Sequence, residues 1–355
     1  MHFFETLNFG NVPALGWVVW LLVVVALLFD FLNGFHDAAN SVATVVSTRV
    51  LSPTWAIFWA ALFNFIAFVI FPLKVEETIR KTVHADILTE HANRVIAATL
   101  LAACAWNVLT WWLALPTSSS HALIGALVGS ALAKTDPAKW IDALNWQKLG
   151  LTLLFIVLSP LIGLVFGWLL GVGVIWLFRG FGPRGVDTLF RKGQLLSAAW
   201  FSLNHGGNDA QKTMGVIALL IELNAGVTYG EGRPIPTEVV LACHAAIALG
   251  TLFGGWRIVK TMGQKIIALR PVDGFCAETG AGIALALATT TGGIPVSTTH
   301  TITGAIVGVG SLKRFSAVRW GVAGRVVWAW VLTIPGSALL AALTWWLLRA
   351  IDWPG

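Results

Sequence analysis

Apolar runs, several of them long enough to cross a hydrocarbon core of about 30 Å, recur along the whole chain and are separated by short charged loops. They cover residues 13–33, 36–48, 54–73, 95–115, 121–133, 149–178, 195–204, 209–223, 238–256, 276–291, 299–312 and 326–348. Only 11% of the 355 residues are charged, against roughly 25% in soluble domains, so a bilayer is the solvent that suits this chain. The pattern predicts an all-α polytopic membrane protein with about 10–12 membrane segments. It leaves no stretch for a soluble catalytic domain.

The net charge of +6 does not point to nucleic acid, because the Lys and Arg sit in loops between apolar runs. They read instead as an orientation signal. Arg179, Arg184, Arg191 and Lys192 form one basic loop, Arg257, Lys260, Lys265 and Arg270 a second, and Lys313, Arg314, Arg319 and Arg325 a third. All three are expected in the cytoplasm. The 222–238 loop, with Glu222, Glu231 and Glu238 against Arg233, then falls outside, and both termini are expected outside as well. The first Lys or Arg is Arg49, so a cleavable signal with a basic n-region is not expected, and Trp17 to Leu32 is expected to stay in the mature protein. Cys104, Cys243 and Cys276 are scattered in apolar surroundings; neither a disulfide framework, a metal centre nor any other cofactor is indicated.

Several apolar runs are too short to span, and they come in pairs joined by polar clusters at 33–40, 116–121, 204–212 and 295–300. Polar or irregular backbone at membrane depth survives only inside protein or against a wet cavity. Pro116-Thr117-Ser118-Ser119-Ser120-His121 matches Pro295-Val296-Ser297-Thr298-Thr299-His300 at an offset of 179 residues, and seven of fourteen positions are identical through Gly129 and Gly308. A weaker match at an offset of 172 pairs Phe29 with Phe201, Gly34 with Gly206, Asp37 with Asp209 and Ala38 with Ala210. Residues 1–190 and 191–355 therefore read as two repeats. Each would comprise a broken helix, a helix, a re-entrant hairpin tipped by the Pro-Ser-His cluster and a final helix. An odd number of crossings per repeat makes the topology inverted, the pattern of secondary transporters that hold their substrate near the midplane.

The hydroxyls of Ser118, Ser119, Ser120, Ser297, Thr298 and Thr299 precede short helices, where free backbone N–H groups and a partial positive charge favour an oxyanion. One such cluster alone is ordinary capping or interhelical hydrogen bonding; two related ones suggest a substrate cradle. Asp37 and Asp209 are intramembrane carboxylates and so functional candidates. Beside an anion, each must accept a P–OH proton or hold a cation. Lys212 can share a helical face with Asp209 and Asn208, putting an ammonium where a sodium ion would otherwise sit. His36 faces Asn40 at the i+4 spacing and suits proton carriage. His121, His205 and His300 could do the same, with His121 and His300 nearer to a structural role.

The stretches Gly34-Phe35-His36-Asp37-Ala38-Ala39-Asn40 and Gly206-Gly207-Asn208-Asp209-Ala210-Gln211-Lys212 resemble the duplicated signature of the inorganic phosphate transporter (PiT) family. The two Pro-Ser-His elements resemble that family's second duplicated motif, and Gly254 to Gly263 resembles its bacterial branch. The resemblance implies a multi-pass inner-membrane transporter, commonly a homodimer, that moves phosphate with a coupling cation. It puts phosphate on the 118–120 and 297–299 hydroxyls, and coupling on Asp37 and Asp209. Sodium-driven members typically have Asn-Asp in both signatures and Asn three residues after each Asp. His36 and Lys212 depart from that pattern and resemble the low-affinity, proton-coupled type that takes metal-complexed phosphate. A sulfate permease of the same family and a sodium-coupled phosphate symporter are the alternatives, with an intramembrane hydrolase using Ser118 and His121, or Ser297 and His300, as a remote third.

Overall fold

The computed structural model describes residues 15–83, 91–227, 229, 234–292 and 296–354. In chain order the helices are α1 (Trp17–Ser47), α2 (Pro53–Ile66), α3 (Val75–Arg80), α4 (Ala92–Trp112), α5 (Ser119–Lys134), α6 (Trp140–Ala143), α7 (Trp146–Leu177), α8 (Pro183–Ala225), α9 (Thr237–Phe253), α10 (Trp256–Lys260), α11 (Pro271–Leu287), α12 (Thr298–Lys313) and α13 (Trp320–Ala350). Local sequence sets several of the starts. Ser52 accepts from the Trp55 amide with Pro53 in the first turn, and Asn145 accepts from Lys148. Among the described residues the β pairing is a single bridge between Val83 and Leu144.

By length and composition, α1, α4, α7 and α13 can each cross a membrane, and α9 with residues 256–265, bent by 62°, makes a fifth such span. The bend falls at Gly254, whose φ of +59° suits a residue without a Cβ. Helices α5, α11 and α12, at 16 or 17 residues, are shorter than the ~20 residues a full crossing needs. All are packed inside the protein.

The helices were expected to break at 33–40 and 204–212, but both run through: α1 spans Trp17–Ser47 and α8 spans Pro183–Ala225 without interruption. The glycines there serve close packing rather than a break. A Cβ on Gly34 would lie 2.1 Å from the Ile247 carbonyl oxygen of α9, and one on Gly206 would lie 2.4 Å from the Asn64 carbonyl oxygen of α2. His36, Asp37 and Asn40 in the first stretch, and His205 and Gln211 in the second, find partners elsewhere in the chain, so no backbone group needs to leave the helix to satisfy them.

Packing between the two halves is reciprocal. Helix α12 lies on α7 while α5 lies on α13, and α9 lies on α1 while α2 lies on α8. The same exchange is visible at single residues: Gly308 abuts the Leu164 carbonyl of α7, and Gly129 the Ala338 carbonyl of α13. The chain thus interleaves its halves rather than setting them side by side.

Two buried apolar clusters result, and a polar layer separates them. Along α1 the first cluster reaches Phe29 and the second resumes at Ala39; along α8 the second includes Phe201 and the first resumes at Ala210. The ends are also distinguished. The Trp17 and Trp353 rings lie 6.5 Å apart, so the start of α1 and the end of α13 are neighbours. The basic loops gather around the other end of α1, where Arg191 donates to the Arg49 carbonyl and the Arg319 amide to the Ile266 carbonyl. Residues 1–14, which include the N-terminus, and most of 228–233 in the acidic loop lie outside the described residues, as do 293–295 at the second Pro-Ser-His motif.

Candidate functional site

Ser118 and Ser297 are N-caps. Their hydroxyl oxygens accept from the His121 amide at 3.3 Å and the His300 amide at 3.2 Å, starting α5 and α12 one residue later. The two starts touch: Thr299 Oγ1 of α12 donates to the Thr117 carbonyl at 3.1 Å. The imidazoles of His121 and His300 meet edge to face with centroids 4.8 Å apart, and His300 stacks on Trp330. Trp330 in turn donates to the Pro116 carbonyl at 2.9 Å. These rings hold two helix N-termini together, so two partial positive charges converge within protein rather than in water.

Against this pair lies the polar stretch of α1. Asn40 Nδ2 donates to Thr299 Oγ1 at 2.9 Å and to Thr298 Oγ1 at 3.3 Å, while Ser119 Oγ donates to Asp37 Oδ2 at 3.2 Å. His36 Nδ1 lies 2.7 Å from Asp37 Oδ1, and its Nε2 lies 3.1 Å from Thr110 Oγ1 on α4. His36 therefore pairs with Asp37 and Thr110 rather than with Asn40, because Asn40 turns to the α12 hydroxyls.

Helix α8 contributes the third side. Lys212 Nζ forms an ion pair with Asp209 Oδ1, and His205 Nε2 lies 3.4 Å from Asp209 Oδ2; all three side chains are wholly buried. Asn64 of α2 meets the other nitrogen of His205 at 3.1 Å. Ligand-type atoms of Asp37, His205 and Asp209 come within 4.8 Å of one another, so the carboxylates of the two signatures share one locality. Among the described residues this is where a metal ion could be held, but the Lys212 ammonium already occupies Asp209.

All twelve residues singled out in the sequence are buried. Ten of them, His36, Asp37, Asn40, Ser119, Asp209, Lys212, Thr298, Thr299 and the caps Ser118 and Ser297, join one connected layer. Ser120 and Asn208 are buried in the same helical turns. The Asn208 amide, the Thr117 hydroxyl and both His121 nitrogens complete no hydrogen bond with protein, and buried polar groups left this way are normally met by a ligand or ordered water.

Two wholly buried acids escaped the sequence reading. Glu278 of α11 accepts from Thr44 at 2.5 Å, from Gln194 at 3.1 Å and from Ser197, tying α1, α8 and α11 together. Asp30 lies wholly buried on α1. The rule that an intramembrane acid is functional by default would have found both.

The arrangement does not suit a hydrolase. Ser118 and Ser297 use their oxygens as caps, and neither ring of His121 or His300 bonds a serine hydroxyl, so no nucleophile-base pair exists there.

A model of the phosphate transporter family matches residues 33–180 and 179–341. A protein of Rhizobium meliloti (strain 1021) described as a probable low-affinity inorganic phosphate transporter is 57% identical over 323 residues, 91% of this chain and 94% of its own length. One of Bacillus subtilis (strain 168) with the same description is 43% identical over 332 residues, 93% of this chain and 97% of its own. A solved structure described as the sodium-dependent phosphate transporter superposes with a TM-score of 0.86 at 23% identity, covering 95% of this chain and all of that one; the likeness extends to the fold. The chain therefore belongs to the phosphate transporter family, and its function is transport of phosphate rather than catalysis.

Proposed function

We propose that the chain imports inorganic phosphate across the cytoplasmic membrane, that protons rather than sodium drive it, and that the anion travels free or as a neutral metal-phosphate complex. The observation that carries the reading is the buried Lys212–Asp209 ion pair, a fixed cation where a bound sodium would otherwise offset the carboxylate. The His36–Asp37 contact makes the corresponding provision in the first half, since it sets an imidazole, a group able to carry a proton, against the carboxylate. Phosphate would sit on the hydroxyls and N-termini at 118–120 and 297–299, with Asn40 and Asn208 beside it. Asp37 would accept a P–OH proton, a contact sulfate cannot offer near neutral pH. The test is uptake into proteoliposomes containing only potassium salts under an inward proton gradient. Accumulation that collapses with a protonophore, and that sulfate fails to compete, is the expected result. Uptake that appears only on adding sodium refutes the coupling.

Residues 1–190 and 191–355 would be inverted-topology repeats, with 116–121 and 295–300 at the tips of re-entrant hairpins and both termini outside; two copies would form a homodimer. In favour are the reciprocal packing of the halves and the gathering of the basic loops at one end. In a background lacking the native cysteines, Asp187→Cys should react with an impermeant thiol reagent from the cytoplasmic side and Glu238→Cys from the outer side. Both side chains are exposed. Reaction of both from one side would overturn the topology.

A further inference from the structure

We propose that Asp30 carries the coupling proton and shares the Lys212 ammonium with Asp209, an inference that rests on the proton-driven reading above. The offset of 172 residues pairs Asp37 with Asp209, Asn33 with His205 and Ser41 with Thr213, all polar for polar. Within residues 29–41 it pairs a charge with a neutral group at two positions: Asp30 with Ser202, and Lys212 with Asn40. These two odd charges are brought to each other. Lys212 and Asp209 both act electrostatically on Asp30 across the α1–α8 interface, and Thr213 and Asn33 flank its carboxyl. A common scaffold built twice does not need them; something that one half alone performs does.

The Asp30 side chain is wholly buried and neither of its oxygens completes a hydrogen bond. The titratable groups that reach it are Asp209 and Lys212 from α8 and the Cys243 thiol from α9, with His205 on the far side of Asp209. Two carboxylates and one ammonium are neutral together only when one proton is present. An uncompensated buried carboxylate costs several kcal/mol, so with Lys212 seated on Asp209, as in the structure, the neutral arrangement has the proton on Asp30. Breaking that O–H bond and passing the proton to water leaves Asp30 anionic and draws the flexible lysine toward it. Asp209 then faces Asp37 without its cation, and a second uncompensated carboxylate beside the cradle repels a bound anion. Proton release and phosphate release are thereby linked.

The test is Asp30→Asn in proteoliposomes. We expect loss of accumulation above the equilibrium level under a proton gradient and loss of the external pH dependence, with phosphate exchange retained as evidence of a folded carrier. Asp30→Glu should restore accumulation with a displaced pH profile. Proton-driven accumulation by Asp30→Asn with an unchanged pH profile overturns the proposal. Should Asn prevent membrane accumulation of the protein, Asp30→Ser, which copies Ser202, takes its place. If neither neutral variant folds while Asp30→Glu does, the carboxyl is only a structural counter-ion and the proposal falls. Sodium dependence of the unmodified protein would instead remove the coupling reading itself, and this inference with it.

Discussion

Lys212→Met is expected to abolish proton-driven phosphate accumulation and to lower stability by about 3–5 kcal/mol, the usual cost of stranding one member of a buried ion pair. The figure applies because Lys212 and Asp209 are both wholly inaccessible to solvent, so water cannot take over the carboxylate once the ammonium is gone. Combining Lys212→Met with Asp209→Asn removes both charges and should recover most of the stability, since replacing a whole buried pair is often neutral. It should not recover transport. Thermal unfolding in detergent and uptake in proteoliposomes separate the two effects: stability regained without accumulation assigns the pair to coupling, whereas regaining both would make it a packing device. Lys212→Asn, matching its repeat partner Asn40, gives the sharper ionic test. If the fixed charge excludes sodium, removing it should uncover a weak sodium dependence.

What the sequence disclosed was mostly what repeats in it. Ser118 and Ser297 cap α5 and α12 at equivalent positions, as a hydroxyl following a proline and preceding an apolar run predicts. The meeting of Asp37 with Asp209 could be anticipated from their duplication. Other features depend on which helices become neighbours and had no local signal. Thr110 looks like an ordinary interhelical hydroxyl until His36 reaches it, the Thr117 carbonyl gains its role only when Thr299 donates to it, and Glu278 sits in an apolar stretch whose partners lie 81 to 234 residues away. The expected breaks in α1 and α8 failed for a physical reason. Gly-rich polar sequence at membrane depth reads as interrupted helix, but a glycine pressed against a carbonyl of a neighbouring helix reads identically. Only the packing of Gly34 on Ile247 and of Gly206 on Asn64 tells the two apart.

That same distinction between capping and contact decides which hydroxyls to remove. Ser119 and Thr299 point their hydroxyls at Asp37 and at the Thr117 carbonyl, partners each can exchange for a phosphate oxygen, whereas Ser118 and Ser297 are engaged with their own helix starts. A hydrogen bond to a charged group contributes about 1.5–3 kcal/mol. Ser119→Ala with Thr299→Val should therefore weaken phosphate affinity by about a hundredfold or more while leaving the helices capped. Ser118→Ala with Ser297→Ala should instead cost stability, about 1 kcal/mol per cap. Its effect on affinity should be smaller, because the backbone N–H groups at both N-termini remain available to an anion once the helices form. Transport affinity measured alongside thermal unfolding checks the assignment. If the first pair of changes leaves affinity untouched while the second destroys it at unchanged stability, the anion is bound by Ser118 and Ser297 directly, and the cradle lies nearer to the prolines than the contacts of Ser119 and Thr299 imply, by one residue in the first half and two in the second.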